Sequence, residues 1–248
     1  MRTKNIAVYL TTVIFMLSFF SCKEDGTSGD SNTGNTENTD GTDNKKPEMN
    51  VICIWNAVSL KKEANEKGKY ITTMYLGEVG KTYGETISDS STSKPKEYIK
   101  IVLADGTEGW IQKNLVAVDS KSYAVKSRTK LYQRPDILSS TKKEFDFMQF
   151  VIVTETQEEW VKVKGKKTED TWFTEGWVKL ENLTENEIDV TVAALTERAA
   201  GETDLTKKLN ALNEILGNAD LESSIFIDRV REMVSEITGE GDYEEYGD

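Results

Sequence analysis

The stretch YIKIVLADGTEGWIQKNL (residues 98–115) returns, with its features in the same order, as WVKVKGKKTEDTWFTEGWVKLENL (residues 160–183). Each copy holds a β-rich run (Tyr98 to Ile101; Trp160 to Val163) and then a turn. A Glu-Gly-Trp-aliphatic run follows (Glu108 to Ile111; Glu175 to Val178), and last an Asn-Leu pair (Asn114 and Leu115; Asn182 and Leu183). One hairpin that looks like another is common, but an ordered run of four features marks a duplicated structural unit. The copies differ at the turn. Ala104-Asp105-Gly106-Thr107 is tight, and its Asp-Gly pair predicts a type I′ hairpin, whereas Gly165 to Thr171 is longer. Upstream, Leu60 matches Leu131 less clearly, and the run near 79–85 matches that near 148–155. From residue 51 onward, short runs of Val, Ile, Tyr and Trp predict antiparallel strands.

The motif makes physical sense. Gly109 and Gly176 allow an unusual backbone or a close approach at a bend. Trp110 and Trp177 are each large enough to seal the end of a small barrel. Ile111 and Val178 fall on the opposite face by the two-residue period of a strand. This order of strand, turn, Gly-Trp-aliphatic run and Asn-Leu pair resembles that of the bacterial SH3-like (SH3b) domain, over residues 55–118 and 125–184. The resemblance implies two small SH3-like antiparallel barrels, assigned to 51–118 and 119–184. It also implies recognition of wall peptides or glycans, usually beside a Cys-His peptidase domain that this chain lacks. Ligand contact is then expected from rings outside the core. Trp172 and Phe173 are adjacent, so in a strand they face opposite sides and one of them is expected outside. Trp160 stands in the same aromatic-rich unit, and Tyr98 holds its place in the first copy.

The N-terminus reads as an address. Arg2 and Lys4 precede an uncharged, mostly apolar run from Ile6 to Phe20, which is shorter than the about 20 residues of a comfortable membrane span and fits a secretory signal over 1–21. Ser21 before Cys22 resembles the lipobox of bacterial lipoproteins, although Phe19 and Phe20 depart from its usual pattern. The resemblance implies that the Cys22 thiol carries lipid and becomes the mature N-terminus; an uncleaved anchor is the alternative. The expected location is the cell envelope, on an outer membrane or the cell surface, with the membrane held through Cys22. Residues 22–50 are rich in Gly, Ser, Thr, Asn and Asp, a composition that buries no core and predicts a disordered tether.

Composition narrows the chemistry further. The chain has 248 residues, a formal net charge of −12 and no histidine. Without histidine, Ser-His-Asp and Cys-His catalysis and every His-bearing metal site are excluded. A carboxylate pair remains as a glycosidase option, but with 43 acidic residues chance pairs are numerous, so no enzyme and no cofactor is expected. An acidic chain with no basic stretch is a poor holder of nucleic acid. Cys53, in VICIW (51–55), reads as a small buried hydrophobe.

After Leu183 the period turns helical. Thr184 with Glu187 predicts a capping box, opening a helix with Ile188, Val192 and Leu195 on one face and Gly201 at its stop. A second helix is expected near 204–216 with a Leu205, Leu209, Leu212 and Leu216 stripe. A third is expected near 220–237 with Leu221, Ile225, Val230, Val234 and Ile237. The expected fold class is therefore mainly β with a C-terminal α region, 185–238, and a solvated acidic tail, 239–248. Two partner readings stay open: the SH3-like units bind peptidoglycan or another envelope peptide, or the helices recruit an envelope protein while the barrels act as a spacer.

Overall fold

The computed structural model describes residues 47–91, 93–167 and 170–239. The expected leader, the lipidated Cys22, the tether up to residue 46 and the tail from residue 240 lie outside the described residues.

The first repeat forms β1 (Met49–Cys53), β2 (Ala57–Lys61), β3 (Tyr70–Tyr75), β4 (Val79–Thr82), β5 (Thr86–Asp89), β6 (Lys96–Leu103), β7 (Glu108–Gln112) and β8 (Val116–Val118). The second forms β9 (Lys121–Val125), β10 (Thr129–Tyr132), β11 (Ser140–Phe145), β12 (Phe150–Gln157), β13 (Trp160–Gly165), β14 (Thr174–Lys179) and β15 (Leu183–Thr184). The first sheet runs β3-β2-β7-β6-β4-β1-β8, with β5 added beside β6, and the second runs β11-β10-β14-β13-β12-β9-β15. Strand for strand, the two orders are the same. The chain is thus mainly β, in two sheets of one topology, followed by three helices.

The register places the Gly-Trp pairs alike. Lys100 pairs with Trp110 and Ile101 with Gly109; Lys162 pairs with Trp177 and Val163 with Gly176. On their other side, Trp110 pairs with Lys61 and Trp177 with Tyr132. Each glycine lies against the leucine of the neighbouring strand, Leu60 or Leu131, where an added Cβ would be crowded. Glycine is therefore the residue that lets these strands close up.

Alternation then assigns the faces. Val51, Leu60, Ile101 and Ile111 form the core of the first sheet, and Leu131, Phe145, Val163 and Val178 that of the second. Trp110 and Trp177 are only half-buried, on the face away from these residues. They do not seal a core end as expected, because the glycine and the aliphatic residue flanking each Trp take the inward positions.

Two finer expectations are also corrected. The Asn-Leu match is out of phase by one residue: Leu115 and Asn182 are the carbonyls that accept from Ile54 and Lys126, and Val116 and Leu183 occupy equivalent pairings. The turn after β6 is not type I′. Only Gly106 has positive φ (82°), because Asp105 turns its carboxylate back onto the Thr107 amide (2.9 Å), an Asx arrangement that holds Asp in ordinary backbone space.

The helices are α1 (Glu187–Ala200), α2 (Leu205–Leu216) and α3 (Ile227–Thr238). The cap of α1 is Asn186, not Thr184: Asn186 Oδ1 accepts from the Ile188 and Asp189 amides. Thr184 instead donates to Asp189 (3.0 Å). Asp189 also accepts from the Ser224 hydroxyl and the Ile225 amide. That buried knot holds the chain in turns until Phe226 and delays α3, leaving Ile225 exposed rather than on an apolar stripe. Leu205 is exposed as well; of the expected α2 stripe Leu212 is buried, and Ile215, outside that stripe, is buried beside it.

The helices do not form a separate appendage. One core cluster joins Ile52, Ile54 and Leu76 of the first repeat, Ala124, Phe150 and Ile152 of the second, and Val192, Leu212, Phe226 and Val230 of the helical segment. Cys53 is fully buried, and burial pushes its thiol up to about 12, as expected of a packing residue. No helix among the described residues is long and apolar enough to cross a membrane.

Candidate functional site

Besides β5, which has no counterpart in the second sheet, the repeats differ where the tight turn of the first is replaced by the longer connection between β13 and β14. Both sides of this longer connection carry aromatic and cationic side chains. Phe173 turns inward and meets Trp55 edge-to-face, with centroids 5.6 Å apart and planes at 70°. Trp172, its neighbour, turns outward and is 75% exposed. The two rings thus part as alternation requires.

Lysines flank this aromatic step. Lys164 Nζ lies 4.6 Å from the Phe173 centroid and Lys166 Nζ 5.1 Å from the Trp55 centroid, both within cation–π range. Across β11, Lys142 and Lys143 join Lys167, Asp170, Trp172 and Phe173 around a groove of about 670 Å3. Lys167 bonds Asp146 (2.5 Å), and Arg128 lies 2.9 Å from the same carboxylate. The Lys167 ammonium in particular holds the Asp146 carboxyl below its ordinary range. The expectation of no basic stretch is corrected here. Lys162, Lys164, Lys166 and Lys167 are close in sequence, and folding brings Lys142 and Lys143 beside the last of them.

A ring face 75% open to water, backed by ammonium groups, can stack on a planar or sugar-like surface while pairing with carboxylates. The other two expected rings do not join it. Tyr98 is 3% exposed and Trp160 6%. Trp160 is covered by Tyr132, edge-to-face at 4.9 Å, and by Lys179 at 4.4 Å. Tyr98 is buried where β6 is flanked by β5 and β7. The tight turn of the first repeat, Ala104 to Thr107, holds neither an aromatic side chain nor a lysine.

Sequence reasoning missed Trp55 and the lysines. Trp55 closes the apolar run VICIW, and the alternating lysines after Trp160 were in plain view, hidden by the net charge. It also missed Glu197 on α1, which accepts from the Phe150 amide (3.3 Å). Burial, opposed only in part by that bond and by Lys166, raises its carboxyl to about 8. Among the described residues no group of three or more His, Cys, Asp or Glu is placed to hold a metal ion.

The chain matches no protein-family model, and no curated protein matches it. It is similar to two solved structures from Trichomonas vaginalis. NlpC1 shows 9% identity over 58% of this chain and 48% of that one, with a TM-score of 0.24. NlpC2 shows 12% identity over 69% and 57%, with a TM-score of 0.26. The chain thus spans about half the length of the structures it matches.

Proposed function

We propose that this protein is a lipoprotein of the cell envelope, anchored through Cys22, whose two SH3-like repeats bind a cell-wall peptide or peptidoglycan without cutting it. The reading is supported by the Gly-Trp repeat, the common strand order and, above all, the groove under Trp172. A wall glycopeptide offers sugar faces that stack on an open indole and carboxylates that pair with lysine, which is the complement of that groove. In an otherwise acidic chain, the local lysines also set where an anionic polymer lands. The tight turn of the first repeat, Ala104 to Thr107, holds no aromatic side chain and no lysine, so the binding proposed here is placed on the second repeat. The helices, whose apolar faces are spent on the shared core, serve as a brace between the repeats.

The test is retention on purified sacculi. Trp172→Ala should lower retention at least tenfold and leave thermal unfolding within about 0.5 kcal/mol of the parent, as for an exposed side chain. The double charge reversal Lys142→Glu/Lys143→Glu should weaken retention further and flatten its dependence on salt. Undiminished retention of Trp172→Ala would remove the groove from the proposal. Cys22→Ala should release the protein from the membrane fraction.

A further inference from the structure

We infer that the cavity between the β11–β12 turn, residues 166–167, α1 and α3 is a binding site for a small carboxylate. It is distinct from the groove, although Lys167 lines both. It is a cleft of about 160 Å3, open to solvent. An acid group with a few carbons attached fits that space.

The walls offer donors. Gln149 and Thr196 line the cavity and are 8% and 2% exposed, yet among the described residues the donors Gln149 Nε2 and Thr196 Oγ1 have no partner, and the acceptor Asp146 Oδ1 on the same wall has only the Arg128 guanidinium, 2.9 Å away. The rest of Gln149 is spent: its Oε1 accepts from the Asp146 amide (3.2 Å), its carbonyl accepts from Val125 (3.0 Å), and its amide donates to Asp146 (3.3 Å). Only its side-chain N–H groups remain to be used. Buried polar groups without partners are rare, and two on one cavity call for a bound third party. The turn that sets Gln149 in place holds Met148 at φ 68°. For a non-glycine residue that is a strained backbone, of the kind that collects at functional positions.

The charges select an anion. Asp146, Lys166, Lys167 and Glu197 are the titratable groups on the walls, while α3 contributes Met233. Asp146 is already matched by Lys167 and Arg128. Glu197, raised to about 8 by burial, carries its proton at neutral pH and adds a third donor. With Lys166 beside it, a carboxylate meets four donors and no uncompensated negative charge, whereas a cation meets an ammonium.

The experiment is thermal shift and calorimetry on the full-length chain. The probes are acetate and N-acetylalanine as free acids, and N-acetyl-trialanine with its C-terminal amide as peptide ends. Acids should stabilise the protein, and the amide should fail by at least tenfold in affinity. Strongest response to the two small acids would assign a free carboxylate, and strongest response to the trialanine acid the end of a peptide. Thr196→Val should abolish the response while unfolding at the same or a higher temperature than the parent, since it removes an unpaired polar atom; Gln149→Leu should abolish it too, at a lower unfolding temperature, since it also takes away the acceptor of the Asp146 amide. Affinity should hold from pH 5 to 7 and fall above pH 8 in the parent, with Glu197→Gln flattening that fall. No response to any acid, an equal response to the amide, or an unchanged response in Thr196→Val would overturn the inference. Sacculus retention is the separate test of the groove, so either idea can fail alone.

Discussion

Replacing Gly109 and Gly176 by alanine, one at a time, asks the same question of both repeats. A Cβ at Gly109 would lie 2.6 Å from Leu60 Cγ and 2.9 Å from the Lys61 carbonyl oxygen. At Gly176 the nearest atoms are Leu131 Cδ2 at 3.0 Å, Leu131 Cβ at 3.1 Å and the Tyr132 carbonyl oxygen at 3.2 Å. Neither glycine has positive φ, so alanine restricts the unfolded chain and returns about 0.4–1 kcal/mol in each case. Against that stands overpacking, which costs about 1–3 kcal/mol. At Gly109 a branched carbon and a backbone carbonyl must both give way, which puts the cost at the upper end and leaves a net loss of about 2 kcal/mol. At Gly176 the neighbours need shift only by tenths of an ångström, and the net loss is below about 1 kcal/mol. Urea unfolding followed by tryptophan fluorescence reads both values. Equal losses, or a larger loss at Gly176, would refute the claim that the two motifs share a close strand approach graded by these distances.

Glu197→Gln should change how stability varies with pH. The folded carboxyl sits near 8 and the ordinary one near 4.5, so the folded state keeps a proton that the unfolded chain releases. This contribution is full below about pH 4.5 and is lost as pH rises to about 8, at no more than about 1.4 kcal/mol for each pH step of one. The variant should lose less stability than the parent between pH 5 and 8 in parallel urea titrations, and identical slopes would count against a buried neutral carboxyl. Deleting 185–248 should unfold both sheets, since Ile52 and Phe150 lose the helices they pack on; native-like strand dichroism in the truncated chain would contradict a shared core. Cys53 should resist thiol reagents in the folded protein and react once urea unfolds it, and fast labelling of the native chain would contradict its burial.

The repeat was legible because Gly109, Trp110 and Ile111 are a contact set as well as a string: each residue has one face and one neighbour. Mainly-β character, the helix count and the outward turn of one ring at 172–173 followed from periodicity alone. The Asn-Leu pair misled by one position, since identity of letters at a short helical turn does not fix register, whereas the hydrogen bonds of Leu115 and Asn182 do. Thr184 looked like a cap because its spacing to Glu187 fits, but the buried carboxylate of Asp189 draws its hydroxyl away and leaves capping to Asn186. The groove was illegible for a different reason. Trp55 and Phe173 are distant in sequence and meet only when the repeats pack through a common interior, and Lys142 reaches the groove from another strand of the second repeat. Net charge, an average over the chain, erased the local excess of lysine.

β1 is an interior strand of the first sheet, hydrogen-bonded to β4 on one side and β8 on the other. A chain tethered ahead of Met49 and gripping a polymer at Trp172 would pass any pull through that strand. The component of the pull directed along β1 would load two antiparallel ladders in shear, so that many bonds would have to fail together instead of opening one after another. Such an attachment resists tension better than an edge strand peeled from its sheet, a useful property for anything strung between a membrane and a wall.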